Sequence, residues 1–282
     1  MAYYHGIKTS QQPTSVSTPV VAAVGIPFVV GTAPVHTVSG AANEIILANT
    51  YAEAVEALGY SDDWETYTLC EMIYSQFKLY GCAPVIFVNV LDPTKAKKAI
   101  TEKEFAITDY KAELPIDYIA EGLTVSSVSN GSTTLTKDTD YTAFYSDDKL
   151  IIELLSETAK QLNKIYVAGN EIDVSAVKKA DIIGGVDVST GKTTGFELIE
   201  NCFAKYGIVP DLLLAPGYSH DSEVAAIMQA KATGINELFE AKALIDVDST
   251  TITDYRKVPE WKNNNGITKK EQVVYWPMVT LG

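Results

Sequence analysis

The stretch from Gly184 to Cys202, GGVDVSTGKTTGFELIENC, contains the residue types of a phosphate-binding loop: glycines, a Gly191-Lys192-Thr193 triplet and an amphipathic run behind them. A loop that cradles phosphate turns its backbone N–H groups round the anion and needs the spacing Gly-x-x-x-x-Gly-Lys-Ser/Thr. Five residues before Gly191 stands Val186, and the nearest glycine, Gly185, is one residue too far. Such a loop also follows a buried strand. The candidate, Asp181-Ile182-Ile183, is short and runs straight into two glycines. The same letters fit a loop feeding a packed helix, with Thr194 and Glu197 as a capping box. Phe196, Ile199, Phe203 and Tyr206 would form its apolar face and Gly207 its stop.

Ser219, His220 and Asp221 have the types of a hydrolytic triad, but adjacent residues of a helix point apart and cannot relay a proton. Ser219 is expected as a helix N-cap, with acidic residues in the first turn. Asp246 and Asp248 end an apolar run, where an α/β sheet opens its ligand crevice, and are candidates for a magnesium site. Without a phosphate loop the plainer reading is polar residues closing a strand, and Asp92 reads the same way. An enzyme using Lys192 with Asp246 on a nucleotide is the alternative, and a monomeric surface-binding module a third. The expectation is no catalytic, cofactor or metal residue.

The chain has 282 residues, 46% hydrophobic and 21% charged, enough for two domains or one domain with an insertion. A net charge of −14 argues against nucleic acid as a partner, because a phosphate backbone is held by clustered lysine and arginine. There is no long apolar span and no secretion signal, so a soluble protein made in the cytoplasm, without membrane insertion, is expected. Cys70, Cys82 and Cys202 are odd in number and far apart, and are expected as small buried thiols.

The elements that must position these residues are α/β in pattern. VVAAVGIPFVVGTAP, APVIFVNVLDP, PDLLLAPG, KALIDVD and VVYWPMVTL are apolar strand-like runs. Helices are expected from Thr50, over Asp63 to Tyr80 with Leu69, Met72, Ile73, Phe77 and Tyr80 as a stripe, from Thr194 and from Ser219. The alternation predicts a mostly parallel sheet with flanking helices. Between residues 105 and 180 the helical period disappears, Asn130-Gly131 marks a tight hairpin, and TDYTAFY and KLIIELL read as paired strands across Ser146-Asp147-Asp148. The predicted organisation is an extended arm (1–18), a core (19–104), an inserted small all-β domain (105–180) and the rest of the core (181–282).

YHGIKTS at 4–10, STPVVAAVGIPFVVGTAP at 17–34, PVIFVNVLDP at 84–93, DIIGGVDVSTGKTTGF at 181–196, PDLLLAPGYS at 210–219 and VVYWP at 273–277 carry a further signal. In these segments the chain resembles the sheath protein of contractile phage tails and of phage-tail-like bacteriocins. The resemblance implies a structural subunit assembled in the bacterial cytoplasm into a virion tail or a released particle. Its partners would be copies of itself in a helical polymer, the inner tail tube protein, and baseplate and terminator proteins. It further implies that the sleeve contracts to drive the tube through a cell envelope, and that the arm, through Tyr4, His5, Gly6, Ile7 and Val16, links neighbours. Gln11 and Gln12 stand where an acidic residue is expected nearby. Family members carry a further C-terminal portion, so this length alone is expected not to build a sheath.

Overall fold

A computed structural model describes residues 25–278 apart from Ser39 and Ser132. The arm residues Tyr4, His5, Gly6, Ile7 and Val16 lie outside the described residues. The first strand, β1 (Pro27–Gly31), is buried at every position, as its unbroken apolar run requires. An edge strand not read from the sequence, β2 (Ile45–Ala48), precedes α1 (Tyr51–Leu58), which starts after Thr50 as predicted and is capped by the Thr50 side chain accepting the Glu53 N–H. The next helix, α2 (Thr68–Ile73), starts later than Asp63, because Asp63 uses its carboxylate on the Thr66 N–H and holds that segment as a turn. A wide π-helical turn follows, Tyr74–Leu79. It shifts the helical phase, so Tyr80 is exposed instead of continuing the stripe of Leu69 and Ile73. Strand β3 (Val85–Asn89) is again wholly buried.

Six antiparallel strands come next: β4 (Lys97–Ala106), β5 (Lys111–Pro115), β6 (Thr124–Ser126), β7 (Tyr141–Ser146), β8 (Lys149–Leu154) and β9 (Lys164–Ile172). They form two three-stranded sheets, β4-β9-β6 and β5-β8-β7, round a core of their own that includes Leu114, Tyr118, Leu150, Ile152 and Val167. Asp147 and Asp148, both at positive φ, make the two-residue turn between β7 and β8. Asn130-Gly131 is not a tight hairpin; it sits in a wider loop closed by the Ser127 N–H on the Thr133 carbonyl.

Asp181-Ile182-Ile183 is helical, within α3 (Lys179–Ile183), not a strand, since the Asp181 carboxylate accepts the Lys178 N–H and starts a turn. The hairpin β10 (Gly185–Val186) and β11 (Thr193–Thr194) follows. A 3₁₀ segment over Gly195–Asn201 leads to α4 (Cys202–Tyr206), which Gly207 ends in the left-handed region. The predicted capping box is absent. Thr194 is held in β11, its hydroxyl donates to the Gly185 carbonyl, and Glu197 pairs with Lys231 at 2.7 Å. The chain closes with β12 (Leu212–Leu214), α5 (Ser222–Thr233), β13 (Lys242–Asp246), α6 (Val258–Asn264) and β14 (Gln272–Tyr275).

The six-stranded sheet has the order β14-β13-β12-β1-β3-β2. All its pairings are parallel except β2 with β3. Phe28 and Val30 meet Phe196, Ile199 and Met228 on one face, and Val29 meets Leu58, Leu69 and Ile73 on the other. Each such side chain contributes roughly 1.5–3 kcal/mol on burial. The two margins of the sheet differ. The Ile45 carbonyl of β2 accepts from Lys205 Nζ (3.0 Å) and from the Tyr206 hydroxyl (2.8 Å), whereas β14 has no strand beyond it among the described residues.

Candidate functional site

The β10–β11 hairpin holds the nucleotide-like loop. Asp187 Oδ1 accepts the Ser189 N–H (2.8 Å), the Ser189 hydroxyl (2.6 Å) and the Thr190 N–H (3.1 Å). The Gly191 N–H donates to the Asp187 carbonyl at 2.7 Å. Donation from Ser189, hydroxyl first, holds the Asp187 carboxyl down at about 2. The anion round which these amides gather is the chain's own. At the neck the chain passes itself closely: a Cβ on Gly184, φ 75°, would stand 1.9 Å from the Thr194 carbonyl oxygen, and one on Gly195 2.5 Å from that of Ile182.

The point between β1 and β12, whose outgoing connections run to opposite sides of the sheet, towards β2 and β3 from β1 and towards β13 from β12, is where open α/β sheets take ligands. Here the first amides of α2 are satisfied internally. Thr32 accepts the Thr68 N–H on its hydroxyl (3.1 Å) and the Leu69 N–H on its carbonyl (2.9 Å), while Thr68 Oγ1 accepts the Thr32 N–H (3.2 Å). Gly31 is needed for this approach, because a Cβ there would lie 2.5 Å from Thr68 Oγ1.

Beside it, at the carboxyl ends of β12, β13 and β14, lies a crevice of about 650 Å³ whose lining includes Glu71, His220, Asp246, Asp248, Tyr275 and Met278. Ser219, 1% exposed, forms its support: Oγ donates to Asp246 Oδ2 and accepts the Asp246 N–H, both at 3.0 Å. Ser219 is therefore not the N-cap of α5. That place belongs to Asp221, which accepts the Glu223 and Val224 N–H groups. Asp246 opens onto the crevice, yet protein atoms crowd its carboxyl, and this desolvation raises its pKa against the pull of Ser219 and His220. Glu71 is raised too, by burial and then by the charge of Asp246. Asp248 is lowered by Thr250, whose hydroxyl and N–H bond its Oδ1 at 2.6 and 2.9 Å, and Asp92 holds Thr94 in the same way. Both follow the plainer expectation of polar residues closing a strand.

Ser219 Oγ donates to the Asp246 carboxylate and not to an imidazole, so the serine–histidine pair of a hydrolytic triad is not assembled. Lys192 and Asp246 line different depressions and are not brought together. Among the described residues no three His, Cys, Asp or Glu side chains are placed to hold a metal ion, and no helix is long and apolar enough to cross a membrane. Cys70 and Cys202 are buried, and burial pushes both thiols up to about 12. Cys82 departs from expectation and is exposed, because it follows the π-helical turn on the surface. Sequence reasoning missed Glu71: nothing local distinguishes it, and only the crevice it lines together with Asp246 gives it a role.

No family model matches the chain. Over 236 residues it is 22% identical to a tail sheath protein of Burkholderia phage BcepMu, covering 84% of this chain and 48% of that protein. The chain thus spans about half the length of the curated relative it matches. The likeness to the tail sheath family seen in its segments is supported by this phage tail sheath protein.

Proposed function

We propose that this chain is a structural subunit of a phage tail sheath, packing against copies of itself round an inner tube. The match to a sheath protein along 84% of the chain carries the reading. The self-satisfied hairpin and switch point agree with it. In this reading the sleeve links to baseplate and terminator proteins and contracts to drive the tube through an envelope. The work comes from the difference between a metastable extended packing and a tighter one behind a kinetic barrier. The arm at residues 1–18 adds as a strand to a neighbour's open sheet edge, for which β14 is available. Each backbone hydrogen bond so made contributes about 0.5–1.5 kcal/mol, and repetition over a lattice makes the link strong. The small sheets between β3 and α3 form an insert carried on the outside.

Sedimentation velocity tests the reading. The chain is expected to associate as concentration rises, and deletion of residues 1–18 to weaken that association. A single monomer boundary up to millimolar concentration overturns the proposal.

A further inference from the structure

We propose that residues 116–120 are a proton-released latch between the paired three-stranded sheets and the main sheet, with His36 as the group that takes the proton. The inference concerns the single chain and does not need the assembly reading.

Two covalent connections join the paired sheets to the main sheet, one after β3 and one after β9. They run side by side, since the Asp173 N–H donates to the Ala96 carbonyl at 3.0 Å. Residues 116–120, between β5 and β6, make a third attachment that is not covalent. Tyr118, 1% exposed, belongs to the core of the paired sheets, whereas Ile116 and Ile119 pack against the main core. Two side chains from the main-sheet side grip this strap. The Tyr67 hydroxyl donates to Asp117 Oδ1, and His36, in the 3₁₀ turn Val35–Thr37 that follows β1, sets Nε2 at 2.8 Å from the Ile116 carbonyl. From β7, the Tyr145 hydroxyl donates to the Tyr118 carbonyl and accepts the Ala120 N–H. The His36 ring stands 6.4 Å from the Tyr67 ring and 5.6 Å from that of Tyr145, so it sits where the two halves meet.

A carbonyl can only accept, so Nε2 carries the proton of the neutral ring and Nδ1 is the basic nitrogen. Nδ1 is buried and has no hydrogen-bond partner among the described residues. A proton added there makes a cation whose second N–H finds no acceptor in the docked joint. The charged and titratable groups round the ring are Tyr67 from α2, Asp117 and Glu121 beside or on the strap, Lys97 from β4 and Tyr145 from β7. Burial lowers the pKa of His36 from its ordinary 6.5, and the Ile116 carbonyl and the charge of Asp117 offset this only in part.

Above pH 6.5 the ring is neutral whether the strap is docked or free, and the latch has its full strength. As pH falls below 6.5 the freed ring takes up its proton before the docked one, so docking weakens until the pH passes below the docked value. Ile116 and Ile119 keep their apolar contact at any pH. Acid therefore shifts the population of undocked chains and leaves both cores folded, with the paired sheets turning on their two covalent connections.

The test uses the whole chain carrying E157C, with spin labels on that cysteine and on the exposed Cys82, one on each side of the joint. Cys70 and Cys202 are buried, and the side chain of Glu157 is 89% exposed. Double electron–electron resonance is expected to show one dominant distance at about pH 7.5. The ratio of a second population to that one is expected to be at least about threefold higher at about pH 5. His36→Gln in the same background keeps a donor for Ile116 without a titrating ring, and should remove this pH dependence. Nitrogen NMR of the parent chain needs no variant to fold: Nδ1 of His36 should be the unprotonated nitrogen at neutral pH, with a titration midpoint below 6.5. The same distances at both pH values, a His36→Gln chain that follows the parent, or a midpoint at or above 6.5 would each overturn the latch.

Discussion

Two carboxylates of this molecule meet opposite fates. In the β10–β11 hairpin, Asp187 is exposed and collects three donors within a single turn, so its charge is held firmly and its pKa falls to about 2. In the crevice, Asp246 has one hydroxyl donor on its side chain and is crowded by protein, so desolvation raises its pKa. A loop whose donors all have acceptors within it has nothing left to offer a ligand. In the recess, burial works against the charge of both Asp246 and Glu71, and the charge of Asp246 works further against that of Glu71.

The largest effect is expected at the neck that closes the hairpin. Gly184→Ala combines a positive φ with a Cβ placed inside the Thr194 carbonyl, and should cost about 3 kcal/mol or more in denaturant unfolding. Ser219→Ala comes next, at about 1–3 kcal/mol, because it leaves the Asp246 N–H without its acceptor and the carboxylate without its donor. A cost near zero would mean that water replaces the hydroxyl and that the crevice floor is not built on it.

The third effect depends on pH. Asp246 and Glu71 have raised pKa values in the folded chain. Between their ordinary range and the folded values, the folded state binds more protons than the unfolded one, and their contribution to stability falls as pH rises. E71Q/D246N lacks this penalty. Its unfolding midpoint should exceed the parent's at neutral pH by less than about 1 kcal/mol, since solvent screens the open crevice, and the gap should close on acidification. A gap that widens in acid would show that the pair stabilises the fold as carboxylates. The smallest effect belongs to Asp187→Ala, where faster amide exchange at Ser189 and Thr190 is expected without a shift of the global unfolding midpoint. Calorimetric titration with magnesium-ATP should be flat on the parent chain. Heat that disappears in Lys192→Ala would reopen the hairpin as a nucleotide site.

What could be read from sequence follows how local each cause is. β1 and β3 declare themselves because a strand enclosed on both faces needs an uninterrupted apolar run, and Asp147-Asp148 because two left-handed residues make the turn between β7 and β8. β2 is four residues flanked by polar ones, and its identity depends on antiparallel pairing with β3. Thr194 and Ser219 look like caps by type and spacing. Each is taken instead by a tertiary partner, the Gly185 carbonyl and Asp246, which no local rule names. Asp221 was legible as an acidic residue of the first turn but not as the cap itself. Glu71 had no signal at all, since its meaning arises only from the crevice it lines together with Asp246.

The unequal margins of the main sheet give the molecule a direction. With the Ile45 carbonyl taken by Lys205 and Tyr206, an incoming strand meets an occupied acceptor on β2, whereas among the described residues β14 has no strand beyond it. That inequality works against pairing two β2 margins with each other.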